Sequence, residues 1–254
     1  MLTTELLLFS LFSAVSAHSW VEQVSKLNAA GNITRIRGFP RGNVPRVLNG
    51  TPNIDFEDSK MTYMLPPDGR AEATIYPVDH ICKSTQQDAN QTVGSPMLKA
   101  ESGSRILLMY QENGHVTLPE ASPGKLTSGT VWTYGTAVPF LGDTLLSIHG
   151  MWNETGTAGN QRGRLLGKAP FDDGKCYQIN RSAESQRRQK LPQRQHLEEE
   201  GENLWCSTSI ELPMDLIPGT IYTIYWVWDW PSEEPGGKVI KPQIYTTCID
   251  IQIG

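Results

Sequence analysis

Residues 243–253 alternate without a break. Ile244, Thr246, Cys248, Asp250 and Gln252 fall on one side, and Tyr245, Thr247, Ile249, Ile251 and Ile253 on the other. An extended strand satisfies a period of two and a helix does not. Arg105–Gln111, Thr130–Tyr134, Leu145–His149 and Thr220–Trp228 also read as strands. The 23 glycines and 17 prolines are spread along the chain and mark many turns. No stretch holds a long helical period, and only short helices fit, in Thr85–Asn90 or near Asp215. This pattern predicts an all-β fold, an antiparallel β-sandwich with long loops.

The N-terminus has a different character. Leu6–Phe9 and Leu11–Val15 form an apolar run too short to span a bilayer, and it ends in the small residues Ser16 and Ala17 after Val15. Residues 1–17 therefore read as a signal peptide, with residues 18–254 as one secreted, extracellular domain. Removing residues 1–17 takes away one acidic side chain, Glu5, and moves the formal charge from −5 to −4. A mildly acidic chain is a poor partner for nucleic acid. No second apolar stretch is long enough for a membrane span.

An exported chain with four cysteines, Cys82, Cys176, Cys206 and Cys248, is expected to form two disulfides. Their spacing has no zinc-site rhythm. Sequons at Asn32, Asn49, Asn90, Asn153 and Asn180 mark a candidate glycoprotein. Residues 185–203 form a polar insertion between Cys176 and Cys206. It has a basic half (Arg187, Arg188, Lys190, Arg194) and an acidic half (Glu198, Glu199, Glu200, Glu202). Such a segment reads as a solvated loop or a short polar helix; a substrate-contacting loop is the sharper alternative.

Cleavage after Ala17 would make His18 the first residue. A terminal histidine offers its α-amine and ring Nδ1 to one metal, and the amine deprotonates readily near neutrality. One further imidazole would complete three nitrogen donors, a set that suits Cu(II). Of the remaining histidines, His115 stands out because Asn113-Gly114 before it signals a turn that would hold it in a loop at a strand end. His80, His149 and His196 lie in less informative contexts. Gln243 and Tyr245 share one side of the last strand, so Tyr245 could approach a metal axially and Gln243 could hydrogen-bond a bound oxygen species.

Together, a mature N-terminal His, an internal His after Gly, and Gln-x-Tyr-x-x-Cys on a late strand resemble the lytic polysaccharide monooxygenases. That resemblance implies an immunoglobulin-like sandwich holding one copper, Cu(II)/Cu(I), in a histidine brace. It implies His18 and His115 as ligands, Tyr245 as the axial residue, and Gln243 as the hydrogen-bonding residue of a catalytic pair with Tyr245. It implies pairing of Cys248 with the early Cys82, while a Cys176–Cys206 bond closes the charged insertion. The second-sphere histidine of some members has no counterpart; Glu112 and Asp229 are the candidates for its role. The chain also resembles a secreted fungal family with the motifs found here at His18–Gln23, Gly38–Gly42, Glu112–Thr117 and Tyr225–Trp230.

The implied function is a copper-dependent oxygenase that cleaves glycosidic bonds of a structural polysaccharide by C–H oxidation, fed by an external electron donor. A histidine-brace protein for copper capture or delivery is a second reading. A cell-wall polysaccharide-binding module, stacking Trp20, Trp132, Trp152 and Trp205 on sugar rings, is a third. All depend on or tolerate export, so processing is the first test. Edman degradation of the secreted protein should begin at His18, and any other first residue removes the amine ligand.

Overall fold

The computed structural model describes residues 18–48 and 50–254; the signal-peptide reading of residues 1–17 and the sequon at Asn49 lie outside the described residues. Fourteen strands occur among the described residues. The first seven are β1 (Val21–Leu27), β2 (Ile33–Gly38), β3 (Val47–Leu48), β4 (Thr51–Pro52), β5 (Met64–Leu65), β6 (Leu98–Ala100) and β7 (Arg105–Tyr110). The rest are β8 (Thr130–Thr136), β9 (Arg164–Pro170), β10 (Cys206–Glu211), β11 (Ile221–Asp229), β12 (Ser232–Glu233), β13 (Val239–Lys241) and β14 (Ile244–Ile253). Three helices are short: α1 (Asp58–Met61), α2 (Leu145–Ile148) and α3 (Ala183–Arg188).

One sheet has the order β10-β7-β1-β2. The other runs β5-β14-β11-β8-β9, with β6 added in parallel beside β14. All other pairings are antiparallel. Val21, Val24, Leu108 and Tyr110 of the first sheet and Trp226, Trp228, Tyr245 and Ile249 of the second belong to one buried cluster, so the sheets face each other as the sandwich that the alternation predicts.

The even-numbered side of β14 does not face solvent. Ile244 and Cys248 join Tyr225, Val227, Leu65, Ile81 and Leu145 in a second cluster, roofed by loops over the outer face of the sheet. A disulfide between Cys82 and Cys248 ties that roof to β14, and the Cys176–Cys206 bond closes the charged insertion. Arg41, from the Gly38–Gly42 motif, reaches Asp250 of β14 with two bonds of 2.8 and 2.7 Å and donates to Thr223 of β11 at 3.0 Å. Both charges are removed from water, with 3% and 0% of their side-chain surfaces exposed.

Leu145–His149 was expected as a strand and is instead α2. An apolar run this short carries no period that separates strand from helix. Here Leu145 and Ile148, three apart, are buried, Leu146 is exposed, and the Ser147 hydroxyl accepts from the Thr144 N–H at 3.3 Å, an N-terminal cap. The segment near Asp215 forms turns, while Ser84–Gln86 makes a single 3₁₀ turn.

The charged insertion begins in a short polar helix, α3, and is further ordered by ion pairs. Buried Arg188 grips Asp172 with two bonds of 2.5 and 2.7 Å, and Glu184 at 2.5 Å. Buried Glu200 pairs with Arg194 and accepts from the backbone of Leu197 and Trp205 at 2.6 and 2.8 Å. Trp20, Trp152 and Trp205 are buried, and Trp132 is half covered, with the Lys168 ammonium 3.9 Å from its ring. A flat sugar-stacking face built from these four is therefore not formed, because the tryptophans serve as core or lie under a cation.

Removing one partner of a buried ion pair leaves the other charge uncompensated. Asp250→Ala should lower the unfolding free energy by about 3–5 kcal/mol in urea denaturation, the range for such losses. A change within ordinary surface values would mean that Arg41 finds other partners.

Candidate functional site

Four chain segments end at the same pole of the sandwich. Val21 at the start of β1 pairs with Tyr110 at the end of β7, and Ile244 at the start of β14 pairs with Asp229 at the end of β11. The Val21 N–H donates to the Thr247 hydroxyl at 3.2 Å, joining the two sheets there. The residues flanking these ends include His18, His115, Gln243 and Tyr245.

The turn after β7 explains how His115 is presented. Its N–H bonds the Glu112 carbonyl at 2.8 Å, with positive φ at Asn113 (46°) and Gly114 (81°). Asparagine and glycine tolerate this left-handed backbone best. The buried Glu112 carboxylate holds the rest of the loop. It accepts from the N–H groups of Val116 (2.8 Å), Thr117 (3.2 Å) and Gln178 (3.0 Å), and from the Thr117 hydroxyl. Glu112 is thus a loop-holding residue. Asp229 lies 3.6 Å from His149 Nε2. Glu112 thus supports the loop that carries His115, and Asp229 also lies close enough to act on the Lys125 ammonium.

His18 adjoins this turn: its carbonyl accepts from the Asn113 amide, and the Ser19 hydroxyl donates to the Gln111 carbonyl at 2.8 Å. The His18 ring meets Tyr245 edge-on, with centroids 6.5 Å apart. His115 packs against Trp230 (4.6 Å) and Trp228 (5.4 Å). Trp228 in turn stacks on Trp230, Tyr245 and Phe171 at 4.8, 4.9 and 4.0 Å. The two indoles are anchored by bonds of 2.8 Å to the carbonyls of Ser128 and Thr127. Gly129 permits this approach, since a Cβ there would sit 2.7 Å from Trp228 Nε1 and 2.6 Å from the Asp229 carbonyl.

Gln243 Nε2 donates to the Tyr245 hydroxyl at 2.5 Å, and Lys125 Nζ donates to Gln243 Oε1 at 2.6 Å. Lys125 also bonds the Trp230 carbonyl and lies 4.3 Å from the centroid of its ring. Burial is the main cause that brings its ammonium down to about 8 and pushes the Tyr245 phenol up to about 12. Lys125 has no signal in the sequence: it stands in a Gly- and Ser-rich loop more than one hundred residues from Gln243.

His115 is 4% exposed. Burial, then the charges of His18 and Lys125, lower its ring to about 3. Its Nδ1 lies 3.4 Å from the Ser122 hydroxyl, whereas its Nε2 is buried without a hydrogen-bond partner. A buried neutral imidazole with an orphaned nitrogen fits a metal ligand, since a metal would satisfy the lone pair that no protein donor meets. The residues therefore fit a copper site drawing on His18 and His115.

Other potential ligand groups are engaged elsewhere. His149 Nδ1 is 3.1 Å from the Tyr134 hydroxyl, and His196 bonds Gln193. Asp173, Cys176 and Cys206 cluster closely, but both sulfurs are spent in the disulfide, and Asp173 accepts from the backbone of Lys175, Cys176 and Ser207. Asn32 and Asn90 are exposed and Asn153 half-buried. Asn180 differs, because its amide donates to Thr117 Oγ1 at 2.8 Å and the Gln178 carbonyl at 3.0 Å, so a glycan there would displace a bond beside the Glu112 loop.

Residues 15–254 match the model of a family described as a domain of unknown function, DUF7492. The chain belongs to that family. No curated protein matches it. The crystal structure of a cellulose-active polysaccharide monooxygenase from M. thermophila is similar over 93% of this chain and 78% of that chain, at 14% identity and a TM-score of 0.35. At that distance the likeness assigns no residue and no activity. No helix among the described residues is long and apolar enough to cross a membrane.

The depressed His115 value makes a prediction for the metal-free protein. The folded ring binds a proton only near pH 3, whereas an unfolded histidine binds one below about 6.5. The unfolded state then holds more protons, so this residue withdraws stability as pH falls from about 6.5 toward 3. NMR of the ¹⁵N-labelled imidazoles should find His115 neutral at pH 5; a midpoint near 6.5 would contradict its burial.

Proposed function

We propose that the chain is a secreted, copper-dependent oxygenase that cleaves glycosidic bonds of a structural polysaccharide by C–H oxidation, using an external electron donor. The observation that carries this reading is the orphaned Nε2 of buried His115 at the pole that also holds His18, Tyr245 and Gln243. His18, through its ring and the amine freed by cleavage after Ala17, and His115, through Nε2, would hold the metal. Copper bound there supplies one-electron redox chemistry toward oxygen or peroxide.

This chain's own residues set the conditions. Trp228 and Trp230 wall off the His115 ring from water and fix its plane. Tyr245, kept as a neutral phenol well above neutral pH, meets the His18 ring edge-on and stacks on Trp228. Lys125 fixes the Gln243 amide with its nitrogen toward Tyr245, leaving Gln243 as a ready polar contact at the site. The cavity of about 150 Å³ bordering His115 lies by Ser122, on the Nδ1 side of the ring, and is lined by none of His18, Gln243 and Tyr245.

Correctly processed protein should bind one Cu(II), seen by calorimetry and electron paramagnetic resonance. His115→Ala should weaken binding by more than about 100-fold, beyond the loss usual for an outer-shell partner. With ascorbate and a panel of cellulose, chitin, β-glucan and xylan, mass spectrometry should find oxidised oligosaccharides that vanish in His18→Ala and His115→Ala. Tight copper binding with no product from any polymer would replace this reading with copper capture or delivery. Unchanged copper affinity in His115→Ala would remove His115 as a ligand.

A further inference from the structure

The outer face of the first sheet carries a second cavity, of about 290 Å³, unconnected to the chemistry proposed above. The exposed face of an antiparallel sheet is usually polar and wet. Here Leu27, Leu107, Met109 and Trp205 make it an apolar cluster, and the charged insertion closes over it. Glu200 and Arg194 hold the Trp205 backbone in place, at 2.8 and 3.0 Å. The insertion contributes Glu199 to one wall, beside Trp205 just after it, while residues from Phe39 to Leu48 and from Val93 to Ser95 supply the others.

The floor holds an unsatisfied group. Gln23 lines the cavity, is 1% exposed, and its Oε1 has no hydrogen-bond partner, while its Nε2 donates to Ser25 at 3.2 Å. Turning the amide over would only exchange which atom is orphaned. Buried polar atoms without partners are uncommon and point to an absent one. Asn43, equally buried, donates to Ser95 at 2.8 Å on the facing wall.

The charges around the cavity cancel locally. Glu22 accepts from Arg46 at 2.9 Å and from Gln111 at 2.8 Å, and Arg37 pairs with Glu199. A charged ligand would have to break one of these pairs, whereas a neutral ligand keeps them. Trp205, Phe39 and Val47 meanwhile offer apolar surface on the sides. The lining therefore calls for a neutral molecule that carries hydroxyl donors and apolar C–H surface together. The volume lies at the ~300 Å³ lower bound of small-ligand sites and limits the occupant to about one ring.

We propose that this cavity binds a single neutral sugar ring, with Gln23 accepting a hydroxyl hydrogen from it and the charged insertion forming its wall. The site is independent of copper, so it stands or falls apart from the oxygenase reading. The test uses the whole processed chain without added metal. Its tryptophan indole N–H signals are followed by NMR during titration with glucose, xylose, mannose and N-acetylglucosamine, each as the free sugar and as a linear trisaccharide, with glucuronate and a short peptide amide alongside. At least one free neutral sugar should shift the Trp205 signal, assigned with Trp205→Phe, with millimolar affinity. Gln23→Leu, which keeps the side chain's bulk, should weaken that binding by roughly tenfold or more, the equivalent of one lost polar contact. If Gln23→Leu fails to fold, Asn43→Ala with the same readout replaces it. Several results would overturn the proposal: no shift at Trp205 up to tens of millimolar sugar, binding only by trisaccharides, preference for glucuronate or the peptide, or unchanged affinity in the folded variant.

Discussion

From Ile244 to Ile251 every residue of β14 is buried, so this strand has no solvent face. Its odd-numbered side chains fill the space between the sheets, and its even-numbered ones need a second cover. That need accounts for much of the molecule outside the sheets. The roof residues Leu65, Ile81, Leu145 and Ile148 pack on the outer side, and the Cys82–Cys248 bond fastens them down. Asp250 would be a buried, lone carboxylate on that side without the Arg41 guanidinium. The Gly38–Gly42 motif is thus explained by a charge that an interior strand carries.

The same strand positions the pole of the sandwich. Tyr245 lies two residues beyond Gln243 and stacks on Trp228 of the neighbouring strand, so the Gln-x-Tyr and Trp-x-Trp patterns are two halves of one packed layer. His115 enters that layer from the other sheet, on a loop held by Glu112. Burial among indoles keeps its imidazole neutral, and a neutral imidazole is the form that can ligate. The packing therefore supports both a rigid His115 ring and a protonation state compatible with metal ligation.

The charged insertion combines the short polar helix that its composition allows with pairings that its composition does not specify. Its basic and acidic halves look solvated in the sequence, yet Arg188 and Glu200 are buried and paired. An arginine fork satisfied on several sides can enter a protein interior without leaving a free charge. The disulfide at its base shortens the span that must be ordered, and the pairs turn the segment into a wall instead of a tail.

The sequence by itself determined the strands that alternate, above all β14, because a period of two is a local property written in consecutive residues. It also determined the turn at Asn113-Gly114, because positive φ is a demand on residue type. The small-residue ending before His18 and the short-range motifs likewise stand in contiguous residues. Tertiary structure alone decided that Leu145–Ile148 is a helix, since four residues with three apolar side chains carry no resolvable period and their neighbours choose for them. It alone brought Lys125 to Gln243, Glu112 to the N–H groups of its loop and of Gln178, and Asp229 to His149. The reason is the same in each case: a carboxylate or an ammonium states its charge in the sequence, but which partner satisfies it is fixed only when distant strands close around it.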